Sequence, residues 1–404
     1  MTTIKHIDII VLSFPVAHYI SDWRPVTRTY HLIVFLLTDS GFIGVGEGTP
    51  YGSSIAETYA KALSLAKAIR GLTLEDALNA LVSREYEEFE EASKFNYGAY
   101  LALESAILHT LSQYKGLKHE AKVLGGIYRT KVPITYAFSL NHPRTMLREL
   151  KSAIRAGFKY VKFKVPCNFE ELRKTLETLC STGCDVEDVT LIADANGCFH
   201  AIEKARKALS TMERYSIKIV EQPLPYNKLK EMASLKREFH GTIKIMLDES
   251  LRKPSDVELF AQMECADIVN FHPSKLGCLT ITRDTIIKAQ KLGLEIYIGS
   301  ALMTDIGLLH YLNLAASIPR LDYPLEERGF YNTSCGYSII KEPLEIINGS
   351  ITLRNLTVSD LDFDMIKKFL VHSLSLERLL TLAGQIRYIF MNQGKFASLI
   401  HKQE

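Results

Sequence analysis

Residues 160–165 read Tyr160-Val161-Lys162-Phe163-Lys164-Val165, and the interpretation of the whole chain starts from this stretch. Its apolar and basic residues alternate, which is typical of a β-strand with two different faces. Lys162 and Lys164 would share one face, because successive side chains of a strand point to opposite sides. Two neighbouring ammonium groups repel each other, so one of them loses its proton more easily and can act as a general base. The same alternation also fits an exposed edge strand with ordinary surface lysines.

Five further apolar runs follow at regular intervals, and each of them ends in polar or small residues. From Lys164 onward the spacing is 24 to 30 residues each time, with run ends at Asp194, Glu221, Asp248, His272 and Gly299. Helical patterns lie between the runs, and a strand plus a helix needs about 30 residues. Six or more such units in a row form a parallel sheet that closes most simply into a (β/α) barrel. The active site of such a barrel lies at the C-terminal strand ends, where the charged residues stand.

Residues 1–126 lack this repeat and are predicted to form a separate α+β capping domain. A strand at 5–14, a loop at 18–25 and two strands at 27–38 and 42–48 would make a meander. Three helical patterns follow, at 54–70, 74–83 and 97–115.

The barrel is predicted to span residues 127–325, with Lys131–Phe138 as its first strand. Residues 326–358 would return to the capping domain and contain a hairpin that turns at Asn348-Gly349. Residues 359–404 carry apolar residues at helical spacing and predict a helical C-terminal extension. Such a tail packs on its own domain or on a sister subunit, and a homo-oligomer is expected; a membrane or partner-binding tail is the alternative.

Composition excludes several classes of protein. The 404 residues are 47% hydrophobic and 23% charged, which is ordinary for a globular protein with two domains. A net charge of +2 provides no basic footprint for nucleic acid, and neither a signal peptide nor an 18-residue apolar run is present. The seven cysteines are scattered and contain no CxxC pair, so neither a disulfide framework nor a zinc site is indicated. A cytoplasmic protein is expected, without a nucleic-acid or membrane partner.

Three of the strand ends carry carboxylates, namely Asp194, Glu221 and Asp248. Three anions in one pocket repel one another, so a divalent cation is the simplest explanation for them. A ligand set of oxygens alone points to Mg²⁺, with Mn²⁺ as a substitute, rather than to Zn²⁺. Such a cation can bind a substrate carboxylate and stabilise the enediolate that forms when a lysine removes the α-proton.

Four motifs in this order and spacing resemble the enolase superfamily: Lys162-Phe163-Lys164, Asp194-Ala195-Asn196, Glu221-Gln222-Pro223 and Asp248-Glu249-Ser250. Within it, they look like the muconate-lactonizing-enzyme subgroup of the mandelate racemase/muconate lactonizing enzyme family, which includes dipeptide epimerases and o-succinylbenzoate synthases. The resemblance covers roughly residues 1–355. It implies a modified TIM (β/α)7β barrel behind an N-terminal capping domain, and a small-molecule carboxylate substrate.

The resemblance also implies roles for particular residues. Lys164 would be the α-proton base and Lys162 the neighbour that tunes its pKa, while Asp194, Glu221 and Asp248 would hold the metal. Asn196 and Glu249 would lie beside the metal and the base of the sixth strand. Substrate contacts are expected from Ser300, Arg320 and Asp322 of the barrel and, in the loops of the capping domain, from Trp23, Arg24 and Tyr51. The last three could equally be exposed loop residues without a role.

The sequence departs from the family pattern at three places. The sixth strand, where the subgroup has its second catalytic lysine, offers His272 instead, and Lys275 lies three residues further. The seventh strand leads to Met303 where the family has a glutamate. Beyond the eighth strand, Arg320 and Asp322 keep one acidic residue where dipeptide epimerases show a DxD clamp. Histidine can still act as an acid or base near neutral pH.

These residues leave three functions open. The first is a Mg²⁺-dependent racemase or epimerase acting on an amino-acid or dipeptide-like substrate, with Lys164 and His272 on opposite faces. The second is a lyase like o-succinylbenzoate synthase, or a cycloisomerase, in which His272 only stabilises the enediolate. The third is a metal-binding barrel that has lost catalysis and serves as a scaffold.

Overall fold

The computed structural model describes residues 1–21, 24–83, 96–180, 188–327 and 337–373. Among these residues, none of the helices has the length and apolar content that a membrane span needs.

The N-terminal domain contains an antiparallel sheet covered by helices, as predicted. Its strands are β1 (Ile4–Ser21), β2 (Arg24–Thr38) and β3 (Ile43–Gly48), and its helices are α1 (Ile55–Ile69), α2 (Leu74–Ser83) and α3 (Tyr97–Tyr114). Every second residue of β3 is a glycine, so one face of the strand carries no side chains, and α3 packs directly on that face. A Cβ atom at Gly46 would lie 2.1 Å from the carbonyl oxygen of Ala102, so only glycine permits this close approach.

The predicted loop at 18–25 is wrong. β1 continues to Ser21 and pairs with β2 from Arg24 onward, with Ser21 opposite Arg24 and Tyr19 opposite Val26. The two long strands therefore extend the hairpin beyond the sheet, because their backbone groups satisfy each other up to the tip. Residues 22–23 lie outside the described part of the chain.

In the described residues, eight parallel strands form the barrel in the spatial order β11-β4-β5-β6-β7-β8-β9-β10. They are β4 (Lys131–Phe138), β5 (Tyr160–Lys164), β6 (Thr190–Asp194), β7 (Ile219–Glu221), β8 (Lys244–Leu247), β9 (Ile268–Phe271), β10 (Glu295–Ile298) and β11 (Leu325–Glu327). β4 pairs in parallel with both β5 and β11, so the first and eighth strands are neighbours.

Seven helices connect these strands and confirm the (β/α)7β arrangement. They are α5 (Pro143–Arg155), α6 (Phe169–Cys180), α7 (Ile202–Arg214), α8 (Leu229–Glu238), α9 (Asp256–Met263), α11 (Leu279–Lys291) and α12 (Asp305–Ser317). One-turn helices lie before β4, as α4 (Ala121–Leu124), and after β9, as α10 (Pro273–Leu276).

Apolar side chains fill the lower part of the barrel interior. One buried cluster contains Ile192, Ile219, Met246, Ile268, Tyr297 and Tyr323. Three of these side chains stand two residues before a carboxylate at a strand end. Since side chains alternate along a strand, those carboxylates also point into the barrel rather than towards the helices.

The segments after the barrel depart in part from the prediction. The hairpin at Asn348-Gly349 is confirmed, with β12 (Ile346–Ile347) and β13 (Ser350–Thr352), but β13 pairs with barrel strand β4 rather than with the capping sheet. The following chain does contact the capping domain, where the His109 ring lies 2.8 Å from the carbonyl oxygen of Leu356.

The predicted helical extension is only partly helical in its described residues. A 3-10 turn (Val358–Asp360) and helix α13 (Phe363–Phe369) are followed by strand β14 (Leu370–Ser373), which pairs antiparallel with β1. The edge of β1 offers free backbone N–H and C=O groups, and β14 pairs with them although the spacing of its apolar residues predicts a helix. Residues 374–404 lie outside the described part.

Two carboxylates of the capping domain bind the N-termini of barrel helices. Glu47 of β3 accepts the N–H of Thr304 at 2.9 Å, at the start of α12. Glu104 of α3 accepts the N–H groups of Leu279 and, at 2.9 Å, of Thr280, at the start of α11. Helix N-termini carry unpaired N–H groups and favour negative charge, so both contacts fasten the capping domain to the barrel.

Candidate active site

The two lysines of β5 point into the barrel and are buried there. Lys162 Nζ lies 2.7 Å from Glu221 Oε2, and Lys164 Nζ lies 3.2 Å from Asp194 Oδ2. Lys164 also donates to Asn196 Oδ1. The predicted pair of lysines on one strand face is therefore present, and each ammonium group has a carboxylate beside it.

The three predicted carboxylates all stand at the upper end of the barrel. Asp194 ends β6, Glu221 ends β7 and Asp248 follows β8, and each is at most 5% exposed. Burial raises the pKa of Glu221 to about 8, against the opposing effect of Lys162 and with further help from Asp194. Loss of contact with water is thus the main cause of the raised pKa, and the neighbouring carboxyl groups add to it.

His272 and Lys275 both reach Asp248. His272 Nε2 lies 3.1 Å from Asp248 Oδ1. Lys275, from helix α10, binds the same carboxylate and donates to the carbonyl oxygen of Asp248 at 3.1 Å. Burial opposes the charge on Asp248, but Lys275 and then His272 outweigh it and hold the pKa of that carboxyl well below its usual range. The structure thus brings in the lysine that follows the strand as well as the histidine that ends it.

The backbone after β6 places Asn196 between the two sides of the site. Asn196 adopts a positive φ of 42°, and its N–H donates to Asp194 Oδ1 at 3.0 Å. Its side-chain amide donates to Glu249 Oε1 at 2.9 Å. Burial raises the pKa of Glu249 to about 7, and the charge of Asp248 adds to this effect. Asn196 therefore links the Lys164 side of the site to the Glu249 side.

The seventh strand approaches His272 through a glycine. A Cβ atom at Gly299 would lie 2.3 Å from both His272 Nε2 and Asn270 Oδ1, so the histidine ring fills the space that a side chain would need. Ser300, predicted to contact substrate, follows Gly299 and is buried at the same end of the barrel. The structure therefore packs the His272 ring against β10.

The capping domain contributes Tyr51 to the site. The Lys275 ammonium nitrogen lies 5.3 Å from the centre of the Tyr51 ring, which is a cation–π contact across the two domains. Trp23 lies outside the described residues. Arg24 belongs to β2, and its side chain is likewise outside the described part.

Arg320 and Asp322 are far from this site, and their predicted position beyond the eighth strand is wrong. Asp322 Oδ2 accepts the N–H of Ile296 at 3.0 Å, at the start of β10, and Arg320 Nε lies 2.6 Å from Asp322 Oδ1. The eighth strand begins only at Leu325. Tyr323 belongs to the apolar layer inside the barrel, so the chain enters the barrel after Asp322 rather than leaving it. Both residues lie at the N-terminal end, opposite the carboxylates.

The charges of the site bear on whether a divalent cation fits it. Five carboxyl groups face three ammonium groups, so the carboxyl groups outnumber the lysines by two; the groups are Asp194, Glu221, Asp248, Glu249 and Glu326, with Lys162, Lys164 and Lys275. Hard oxygen donors and this surplus fit Mg²⁺. However, among the described residues no three His, Cys, Asp or Glu side chains meet closely enough to hold one ion. The expected convergence of the three carboxylates is therefore absent from this arrangement, in which lysines bind them.

A family model described as "Enolase C-terminal domain-like" matches residues 145–357, more than half of the chain. This protein belongs to the enolase superfamily. It is similar to the o-succinylbenzoate synthase of Bacillus subtilis, at 27% identity over 80% of this chain and 84% of that protein. An L-Ala-D/L-Glu epimerase of Clostridium acetobutylicum is 27% identical over 73% of this chain and 81% of its own length. Among solved structures, a muconate lactonizing enzyme from Pseudomonas fluorescens matches with a TM-score of 0.81 at 19% identity, covering 92% of this chain and 100% of that one.

The similar proteins are enzymes, and this member of the enolase superfamily is an enzyme too. The expected family and barrel fold are thereby confirmed.

Sequence reasoning missed two residues of this enolase-superfamily site. Glu326 of β11 lies 2.7 Å from Lys162 Nζ, and Asn270 of β9 donates to Glu221 Oε1 at 2.8 Å. Asn270 stands two residues before His272, so period-two alternation could have found it. Glu326 stands in the short run Pro324-Leu325-Glu326-Glu327, whose two acidic residues conceal the strand.

Proposed function

We propose that this protein is a Mg²⁺-dependent racemase or epimerase that removes the α-proton of a small carboxylate substrate. The observation that supports this most strongly is the placement of Lys164. Its ammonium group is buried at the mouth of the barrel, 3.2 Å from Asp194 and fixed by Asn196. A lysine held there can accept a proton from a carbon atom whose carboxylate binds at the neighbouring strand ends.

Asp194, Glu221 and Asp248 would hold the Mg²⁺ ion, with Mn²⁺ as a substitute. When bound, the ion would supply positive charge to the substrate carboxylate and to the enediolate that forms as the α-proton leaves. Its charge would also favour the ionised form of the carboxyl groups that outnumber the lysines of the site. Lys162 would stay protonated between Glu221 and Glu326, where it orients the Glu221 carboxylate.

A racemase or epimerase needs a second proton-transfer group on the other face of the substrate. β5 and β9 are four strands apart in either direction around the barrel, so groups at their ends approach from opposite sides. His272 ends β9, and Lys275 follows one turn later. Lys164 would therefore serve one face of the α-carbon, and His272 or Lys275 would serve the other.

The substrate would be an amino-acid or dipeptide-like carboxylate, in keeping with the epimerases and racemases among the similar proteins. Tyr51 would close over it from the capping domain. A lyase reaction is the second candidate, because an o-succinylbenzoate synthase is among the similar proteins. In that case one base suffices, and Lys275 would act only as a fixed cation.

The proposal is tested by deuterium exchange at the α-carbon in D₂O with Mg²⁺, followed by NMR over a panel of dipeptides and N-acyl amino acids. We expect the wild-type protein to exchange at least one class, and Lys164→Ala to lose exchange for the enantiomer whose α-proton Lys164 removes. Lys159→Ala is the matched control, since this lysine of the same segment has a side chain that is 66% exposed. Undiminished exchange of both enantiomers in Lys164→Ala would assign the base to another residue. Absence of exchange in the wild type, together with elimination of water from a hydroxylated, succinyl-substituted cyclohexadiene carboxylate, would favour the lyase.

A further inference from the structure

Two cysteines stand at the mouth of the barrel, one on each of two neighbouring loops. Cys167 lies three residues after Lys164 of β5, and Cys198 lies four residues after Asp194 of β6. The two strands leave the barrel side by side, because Lys164 is opposite Asp194 and the N–H of Val165 donates to the carbonyl oxygen of Asp194 at 2.9 Å. Both thiols are free, and the Cys167 thiol lies near enough to Cys198 to affect its pKa.

Local structure fixes each cysteine in place. The residue after Cys167 is Asn168, whose side chain accepts the N–H groups of Glu170 and Glu171 at 2.9 and 3.1 Å and begins helix α6. The N–H of Cys198 donates to the carbonyl oxygen of Ala195 at 3.0 Å, which closes a tight turn. Cys167 is exposed, whereas Cys198 is buried against the barrel core. One thiol is therefore open to a reagent, and the other is shielded from it on the neighbouring loop.

We propose that Cys167 and Cys198 form an oxidation site, which a peroxide converts into an intramolecular disulfide between the loops after β5 and β6. The Cys167 sulfur attacks one peroxide oxygen, the O–O bond breaks, and water leaves with the thiol proton, so that Cys167 becomes a sulfenic acid. The Cys198 sulfur then attacks the Cys167 sulfur, the S–O bond breaks, and a second water leaves with the Cys198 proton. Two thiols are oxidised, and one peroxide is reduced to two waters.

The two thiols are unequal in a way that supports this order of events. Burial and the neighbouring Cys167 thiol raise the pKa of Cys198. Since the thiolate is the nucleophile, the buried cysteine is protected from direct attack by the reagent, and the exposed Cys167 reacts first. The sequence contains no CxxC pair, so only the fold brings these two cysteines together.

The disulfide would change the geometry of the active site. A sulfur–sulfur bond is about 2.05 Å long, which is shorter than any contact between two free thiols, so the two loops must move closer together. Cys198 is two residues from Asn196, and Gly197 between them has a φ of 70°. Drawing in this loop would displace Asn196, which accepts a hydrogen bond from Lys164. A misplacement of about 1 Å can lower a rate by about 100-fold. This consequence rests on the proposed function, whereas formation of the disulfide does not.

The experiment treats the full-length protein with hydrogen peroxide, blocks the remaining thiols, and maps the peptides without reduction. We expect a cross-linked Cys167–Cys198 peptide pair and an intact mass lower by two hydrogen atoms. Cys167→Ser and Cys198→Ala must lack the cross-link. Cys180→Ser is the matched control and must retain it, since the Cys180 thiol points elsewhere, to the carbonyl oxygen of Tyr215 at 3.7 Å.

Other products would overturn the proposal. These are a Cys167 sulfinic acid without a cross-link, a bond from Cys167 to another cysteine, and a bond between two chains. Circular dichroism must show that the oxidised protein is still folded, because a disulfide formed only on unfolding would also count against the proposal.

The effect on the active site is measured in the deuterium-exchange assay. Oxidation should lower the exchange rate of the wild type by about 10-fold or more, and dithiothreitol should restore it. Cys198→Ala should keep its rate in peroxide. A cross-linked protein with an unchanged rate would refute the effect on the active site while leaving the oxidation site established.

Discussion

Lys162 Nζ lies 2.7 Å from Glu326 Oε2, so an ion pair inside the barrel joins the second strand to the eighth. The same ammonium group lies 2.7 Å from Glu221 Oε2. All three side chains are buried, and their charges have little access to water. A buried ion pair is weak evidence for stability, but removal of one partner leaves an uncompensated charge.

We therefore predict that Lys162→Met lowers the free energy of unfolding by about 3–5 kcal/mol, because it leaves two carboxylates buried without their cation. Urea denaturation followed by circular dichroism measures this change. The double variant Lys162→Met/Glu326→Leu should be more stable than Lys162→Met alone, since it also removes one of the two carboxylates that lost the lysine. A double variant that is less stable than the single one would show that Glu326 stabilises the barrel independently of Lys162.

The strand ends that carry Lys164, Asp194, Glu221 and Asp248 were predictable because each follows an apolar run at a regular interval. A buried parallel strand consists of a short apolar run, and the next polar residue marks the position where it leaves the barrel. The motifs therefore predicted both the fold and the positions of these side chains. Alternation also predicted the bounds of β4 without error, and helical spacing did the same for α2.

Residues that depend on the path of the chain after a strand were harder to predict. Lys275 reaches Asp248 only because Pro273 begins a one-turn helix, which folds the chain back over the barrel. Arg320 and Asp322 were misplaced because β11 has just three residues, two of which are acidic. A strand this short gives no clear alternation, so its beginning cannot be read from the sequence.

We predict that Glu221→Gln sharply weakens Mg²⁺ binding. Glutamine keeps the size of the side chain but replaces a charged oxygen ligand with a neutral one, which a hard divalent cation binds less well. Isothermal calorimetry gives the dissociation constant directly. Thermal melts provide a second measure of Mg²⁺ binding, because an ion present at about 100 times its dissociation constant stabilises the wild type by about 2.7 kcal/mol. Asp322→Asn, at the other end of the barrel, should bind Mg²⁺ like the wild type. Equal loss of binding in both variants would argue against a site at the strand ends.

We predict a pH-dependent contribution to stability from Glu104, which binds the N-terminus of α11. Burial raises the pKa of Glu104 to about 7 from a usual value of 4.5, although N–H donors from Thr280 and Leu279 oppose this. Between these two pH values the native protein holds a proton that the unfolded chain has released. The contribution of Glu104 to the free energy of unfolding therefore falls as pH rises from about 4.5 to about 7, by about 3 kcal/mol in all, and then stays at the lower value.

This pH dependence is measured by urea denaturation at pH 5.5 and pH 8. The wild type should lose more stability between these values than Glu104→Gln, in which nothing titrates at this position. Glu104→Ala serves as the control, because it lacks the carboxyl group and also the hydrogen bonds to α11 at both pH values. If the wild type and Glu104→Gln respond to pH in the same way, Glu104 is ionised throughout, and its charge is stabilised by the helix N-terminus.

The second proton-transfer group can be assigned from the surroundings of His272 and Lys275. The His272 ring packs against Gly299, where even a methyl group would not fit, and is thereby held close to β10. Lys275 lies beneath Tyr51 of the capping domain, on the side where a substrate would enter. Its flexible side chain can leave Asp248 when another cation binds there, whereas the histidine ring is confined. We therefore predict that Lys275, rather than His272, exchanges protons on the face opposite Lys164.

The test follows each enantiomer of an exchanging substrate separately in D₂O. Lys275→Ala should lose exchange for one enantiomer and keep it for the other, because Lys164 remains to serve its own face. Lys164→Ala should show the reverse selectivity in the first turnover, before any product accumulates. His272→Ala should slow both enantiomers to a similar extent, since the loss of its ring disturbs Asp248 and the packing of β10 rather than one face of the substrate. Loss for a single enantiomer in His272→Ala, with Lys275→Ala unaffected, would instead make the histidine the second acid or base. Equal loss for both enantiomers in Lys275→Ala would reduce this lysine to a fixed cation and favour a lyase that works with Lys164 alone.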